Sequence, residues 1–337
     1  MKDFIAIEDH TKEELNELVE LGNDYKKNKS NDLMKNKTLI TLFFNPSTRT
    51  KTSFDLAAHQ MGGHSICIEP GKSSWGIEIE EGAVMDKDAE EHLKDATKVF
   101  CRYGDILALR CFPKFVDWEE EKKDLVLNNL VKWSDKPVIN METISHPCQA
   151  LAMIMTIKSK FKDLKKKKFV LTWAYHPKPL NTAVANSAGM IASMFGMDII
   201  IANPLGYDLD KGYLEKMEKN CKENDAEFKI VHNMDDAFED ADFIYAKSWG
   251  SLHQYGKFNK NEHDKHKNWI VDKNKMDLTN NAYFSHCLPV RRNMIVSDEV
   301  IDSEKSLVYE EAENRLHVQK AVIQKLIENK ENKGESK

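Results

Sequence analysis

Apolar residues along the chain follow two spacings in turn. Residues 11–27 recur at helical intervals, 39–44 form a short β-rich run broken by Asn45-Pro46, and Phe54, Leu56, Ala57, Ala58 and Met61 return to helical spacing over 52–61 until Gly62-Gly63. Residues 64–69 then read as a strand. A second series opens with a buried strand at 167–175, continues through a helix at 181–195 closed by Gly196, and reaches a strand at 198–202. Further strands are expected at 228–232, 243–246 and 282–285. Strands alternating with helices imply an α/β protein built on mainly parallel sheets flanked by helices. The restart places a boundary close to His146. The expected units are 1–148 and 149–311, with a C-terminal helix over 312–330 packing back on the first. In open sheets of this kind ligands gather at the carboxyl ends of strands, and the candidate motifs all follow strand patterns, so the site is expected in the cleft between the two domains.

Composition narrows the class without naming a chemistry. At 337 residues the chain is long for one core. With 41% hydrophobic residues, it is that of a folded protein, with disorder expected only in the charged tail from 328 on. A net charge of -6 with the two signs interspersed leaves no footprint for nucleic acid, and the basic run at 165–168 reads as a solvated strand entry. No stretch is apolar enough to span a bilayer and the amino terminus has no secretory pattern, so a cytoplasmic protein is expected. Six scattered cysteines and twelve histidines lack the spacing of a disulfide framework or a metal motif; no metal and no cofactor is expected. The turn after 167–175 has no dinucleotide fingerprint. Gly71-Lys72-Ser73 lacks the earlier glycine of a phosphate-binding loop, because Ile66 stands there.

The densest chemistry lies between Phe43 and Phe54, where a strand pattern runs into Ser47, Thr48, Arg49 and Thr50 and then a helix expected to begin near Thr50. A helix amino terminus has unpaired N–H groups and the positive end of the dipole, and beside hydroxyls and a guanidinium it makes an anion-binding corner. The same residues also suit a plain helix cap, with Ser47 or Thr50 as the capping residue.

Ser-Thr-Arg-Thr after Phe-Asn-Pro resembles the carbamoyl phosphate motif of the aspartate and ornithine carbamoyltransferases. His146-Pro147-Cys148-Gln149 and His286-Cys287-Leu288-Pro289 look like that family's second and third motifs, in the right order. Phe112-Pro113-Lys114-Phe115, the segment from Tyr175 to Asn181, and Ala312-Glu313-Asn314-Arg315 are similar to the branch that uses N-acetylornithine. The resemblance implies transfer of a carbamoyl group from carbamoyl phosphate to the δ-amine of N-acetylornithine, in arginine biosynthesis. Transfer to N-succinylornithine or ornithine, or a non-catalytic anion-binding relative, are the alternatives.

By that resemblance Ser47, Thr48, Arg49 and Thr50 hold the phosphate with Arg110 and Arg315, while His146, Thr50 and Arg110 polarise the carbonyl as an oxyanion hole. Arg49, Thr50, Arg110 and His146 are thus the expected catalytic group. Gln149 and the backbone around Cys287 and Leu288 hold the carbamoyl amino group, Leu288 also bordering the amine substrate, with the Cys287 thiol a contact rather than a nucleophile. Trp75, in a polar glycine-flanked segment, would reach the site of a neighbouring subunit in a homotrimer; a locally packed surface tryptophan is the other reading. Arg110 also suits a surface ion pair. The segment from Ser248 to His266 looks like the family's mobile loop, closing over the second substrate.

Specificity turns on charge. Ornithine enzymes carry an aspartate facing the free α-ammonium, and Lys247 stands at the matching position here. A lysine repels an α-ammonium but pairs with the carboxylate of an N-acylated substrate, with His176 beside it and Glu142 also contacting the amino acid. Glu90 would disfavour a succinyl group, unless it serves only as an acid ahead of the next helix. One departure is Ile295, where some relatives have a modified lysine shortly after Arg-Arg-Asn.

Overall fold

Central strands that are apolar at nearly every position must be covered on both faces, and that requirement organises the molecule. The computed structural model describes residues 1–334. The first sheet contains β1 (Thr38–Phe43), β2 (His64–Ile68), β3 (Ile106–Arg110) and β4 (Val138–Glu142), all parallel, in the order β2-β1-β3-β4. The second contains β5 (Lys168–Trp173), β6 (Asp198–Ala202), β7 (Phe228–Val231), β8 (Phe243–Lys247) and β9 (Tyr283–Ser285), also parallel, in the order β9-β8-β5-β6-β7. Along β1, Leu39 and Phe43 join one core while Ile40 and Leu42 join another on the opposite face. In β3, Ile106 and Ala108 divide from Leu107 and Leu109 in the same way.

The helices close both faces. The longer ones are α1 (Lys12–Lys27), α2 (Thr48–Gln60), α3 (Leu93–Tyr103), α4 (Leu125–Trp133), α5 (Pro147–Lys160), α6 (Ala183–Met194), α7 (Lys211–Glu223) and α8 (Val308–Gly334). A full capping box starts α1, with Thr11 and Glu14 exchanging side-chain-to-backbone bonds. The chain passes from the first sheet to the second through α5, whose residues 147–157 are all buried. The last helix, α8, packs against α1, α2 and α5.

Most expected strands and helices appear within about two residues; the helix α2 begins at Thr48 rather than near Thr50 because Ser47 caps it, and the C-terminal helix expected over 312–330 begins four residues earlier, at Val308. Gly196, at φ +78, ends the turn after α6 in a conformation that a side chain would strain. The tail expected to be disordered from 328 on continues α8 to Gly334, and 335–337 lie outside the described residues. Among the described residues no helix is long and apolar enough to cross a membrane.

Each sheet has one place where neighbouring strands are joined in opposite directions, between β1 and β3 and between β5 and β8. There Phe43 is level with Arg110, and Trp173 with Lys247. Strand ends at such points leave a crevice, because the chains leaving them diverge to opposite faces.

Candidate active site

The two crevices face one cavity of about 480 Å³, lined from the first sheet by Ser47, Thr48, Arg49, Thr50, Arg110, Glu142, His146 and Gln149, and from the second by His176, Lys247, His286, Cys287 and Leu288, with Arg315 from α8. Local structure accounts for each placement. The Ser47 hydroxyl accepts from the Thr50 amide at 3.2 Å, which makes Thr48 and Arg49 the first helical residues, and no acidic residue lies in this first turn. The Thr48 and Arg49 amides have no carbonyl one turn behind them, and they sit at the positive end of α2.

A register shift between Leu109 and Arg110 sets the second feature. Leu109 pairs with Asn140 but Arg110 pairs with Glu142, so one extra residue on β4 brings the arginine and the glutamate side by side. Arg110 Nη1 donates to Glu142 Oε2, and the guanidinium lies 4.3 Å above the Phe112 ring. The pair is buried inside the cleft rather than on the surface. Glu142 Oε2 is also 3.5 Å from His146 Nε2. His146 precedes Pro147 at the start of α5, and its amide donates to Ser187 Oγ at 2.8 Å. Arg315 joins the same corner from α8, donating to Gln149 Oε1 at 2.7 Å and to Thr50 Oγ1 at 3.0 Å.

On the opposite wall Lys247 is buried at the end of β8, and its ammonium donates to the Ser248 carbonyl at 2.7 Å. Arg291 Nε donates to His176 Nε2 at 3.0 Å, which leaves Nδ1 to donate to the Lys178 carbonyl at 2.9 Å. His286 Nδ1 accepts from the Leu288 amide at 2.9 Å. Leu288 has φ 51, a left-handed conformation that costs a side-chain-bearing residue about 1 kcal/mol and is held here by its surroundings.

Charge in the cleft is strongly positive: Arg49, Arg110, Arg315 and Lys247 against Glu142. Burial, then Arg315, Arg110 and Lys247, push the His146 pKa well below its ordinary value. Burial and Lys247 do the same to His286. Both rings are therefore neutral near pH 7. Burial raises the Cys287 thiol to about 11, so it is protonated there and unsuited to act as a thiolate nucleophile. The Nε atoms of Arg49, Arg110 and Arg315 and the Nδ1 of His146 are buried without a partner among the described residues. Several donors thus converge where an anion with many acceptors would satisfy them.

Two expected residues are not brought to this cavity by the chain itself. Trp75 is 59% exposed and donates to Glu91 Oε2 at 2.7 Å, and Glu90 is exposed, its amide bonded to the Gly76 carbonyl beside the small ribbon of Ile77–Glu78 and Glu91–His92. Conversely, Pro46, Phe112, Phe115, Pro179, Leu180, Asn181, Val184, His286, Pro289 and Ile295 line the cavity without having been assigned a role there. Most lie inside motifs already singled out, so adjacency to a motif was the available signal; Val184 offered none. Among the described residues no cluster of His, Cys, Asp and Glu could hold a metal ion.

The two parallel sheets correspond to a known pair of domains. Residues 2–159 match the aspartate/ornithine carbamoyltransferase carbamoyl-P binding domain, and residues 171–326 match the Asp/Orn binding domain of the same family. The chain belongs to the aspartate/ornithine carbamoyltransferase family. It is 48% identical over 328 residues to an N-acetylornithine carbamoyltransferase of Xylella fastidiosa, covering 96% of this chain and 98% of the relative. Identity to an N-succinylornithine carbamoyltransferase of Bacteroides fragilis is 37%, covering 98% and 99%. A solved acetylornithine transcarbamylase complexed with acetylcitrulline superposes with a TM-score of 0.95 at 47% identity, covering 97% of this chain and 99% of that one.

Proposed function

We propose that this enzyme transfers the carbamoyl group of carbamoyl phosphate to the δ-amine of N-acetyl-L-ornithine, giving N-acetyl-L-citrulline and phosphate in arginine biosynthesis. The observation that carries the reading is a single cavity with three guanidiniums and a helix terminus on one side and, on the other, a buried Lys247 with no carboxylate partner among the described residues. Ser47, Thr48, Arg49, Thr50 and Arg110 hold the phosphate. Thr50, Arg110 and His146 stabilise the carbonyl oxygen as it gains charge in the tetrahedral intermediate, a task suited to a neutral imidazole fixed by burial. The leaving phosphate accepts the proton of the attacking amine. That amine resembles a lysine ammonium of pKa about 10.4, so a desolvated cleft favours its reactive neutral form.

Lys247, flanked by His176, pairs with the substrate carboxylate. An ornithine α-ammonium beside Lys247 would meet like charge in a poorly solvated site, whereas acylation removes it. The 37% against 48% identities to the succinyl and acetyl enzymes support the acetyl assignment. Incubation with carbamoyl phosphate and N-acetylornithine followed by mass spectrometry tests the reading. N-acetylcitrulline is the expected product, and its absence from active-site-intact protein refutes the assignment.

The working unit in this reading is a cytoplasmic homotrimer, with residues 1–148 binding carbamoyl phosphate, 149–311 binding the amino acid, and 312–330 returning to the first unit. Trp75 then enters a neighbour's cleft, which its exposure and its absence from the lining of the chain's own cavity support. Mixed oligomers of Arg49→Ala and Trp75→Ala, each inactive alone, should recover activity through clefts with both residues intact. Additive inactivity in the mixture removes the donation.

A further inference from the structure

Glu311 has no part in the chemistry above, yet it is fully buried directly behind the cleft. It lies in the first turn of α8, where the helix dipole favours a carboxylate. Three side-chain donors converge on it: Gln149 Nε2 from α5, Tyr245 Oη from β8 at 2.8 Å and Ser285 Oγ from β9. Arg315, one turn further along α8, donates to the other end of the same Gln149 amide. Gln149 is thus clamped between the Glu311 carboxyl, which accepts from its amide nitrogen, and the Arg315 guanidinium, which only donates, to its amide oxygen. Both ends impose one orientation, with the amide nitrogen toward Glu311 and the oxygen toward Arg315, Thr50 and the anion corner.

We infer that Glu311 is a positioning residue that makes Gln149 an obligate acceptor, and so lets the cleft distinguish a carbamoyl amino group from an acetyl methyl group. The inference rests on the proposed function and deepens it. A freely rotating glutamine amide could present its nitrogen as readily as its oxygen, and an amide nitrogen cannot accept from the substrate. Fixing the oxygen outward gives the substrate NH₂ a partner through the second oxygen lone pair, while a methyl there leaves that lone pair unsatisfied. Glu311 itself never touches substrate, since it does not line the cavity.

The test compares carbamoyl phosphate with acetyl phosphate, which differ only by NH₂ against CH₃, as competing ligands. Wild-type protein should prefer carbamoyl phosphate. Glu311→Met, of similar length without an acceptor, should lower that preference about tenfold, corresponding to about 1.4 kcal/mol, with acetyl phosphate affinity changed less than about twofold. Glu311→Gln should largely retain the preference, because its amide oxygen can still accept from Gln149 while its nitrogen donates to Ser285. If the methionine variant does not fold, Glu311→Ser, too short to reach Gln149 but leaving room for water near Tyr245 and Ser285, carries the same prediction. Equal weakening of both ligands, or an unchanged preference in the variant that folds, overturns the inference. Wild-type protein that makes no carbamoylated product fails the proposed function instead, and the two failures are separable because ligand preference is measured without turnover.

Discussion

The two walls of the cleft are built on different principles. The first-sheet wall gathers its anion grip in consecutive residues: Ser47 caps α2, Thr48 to Thr50 form its first turn, and Arg110 arrives by a register shift one strand away. The second-sheet wall has no such run. Lys247, His176 and His286 stand at the ends of three strands and are set by long-range pairing. A helix terminus recognises a phosphate whatever is attached to it, so the first wall suits the part of the reaction shared by the whole family. In the proposed reading the second wall sets amine specificity, through the charge that Lys247 places at one strand end.

Disabling the first wall should cost most. Arg49→Ala is expected to lower kcat/KM by about 10²- to 10³-fold or more, as loss of a preorganised charged donor does, with unchanged circular dichroism. Near wild-type turnover would remove the phosphate role. Lys247→Ala should act on the other substrate, raising the KM for N-acetylornithine about 10- to 100-fold, the worth of a charge-assisted hydrogen bond, while the KM for carbamoyl phosphate stays put. Steady-state kinetics with each substrate varied in turn checks the division, and parallel changes in both KM values would dissolve it. In wild-type enzyme, substantial turnover of free ornithine would contradict the reading of Lys247.

Acid pH should weaken the fold through both walls. His146 and His286 have depressed pKa values in the native state, so below the ordinary value near 6.5 the unfolded chain binds protons that the folded one refuses. Their contribution is fully present above that pH and is lost as pH falls below it, at up to about 1.4 kcal/mol per pH unit for each group. Melting temperature measured from pH 7.5 to 5 should therefore decline, and less steeply in His286→Asn. The smallest effect is expected for Cys287→Ser. With its thiol held protonated by burial, turnover should remain within about tenfold of wild type and its pH profile should keep its shape, whereas abolition would restore a nucleophilic role.

What could be read from the sequence follows the same division. The corner at Ser47 to Thr50 was legible because helix capping is a local property of adjacent residues. The register was not, and the helix begins two residues before the place its apolar spacing suggested, because the Ser47 hydroxyl captures the Thr50 amide. Motif residues on the second wall were legible as strand ends, but not that β5 and β8 are neighbours, since strand order depends on pairing across more than seventy residues. The helix α5 escaped the pattern reading because it is buried all round and so shows no polar face. The Glu311 clamp was equally hidden, its three partners lying far apart in sequence.

A structure with a bound bisubstrate analogue, a phosphonate joined to the acylated amino acid, tests the central claim most directly. The phosphonate is expected against Ser47 to Thr50 and Arg110, and the carboxylate within hydrogen-bonding distance of Lys247 Nζ. An analogue seated with its carboxylate in the anion corner, or outside this cleft altogether, would contradict it.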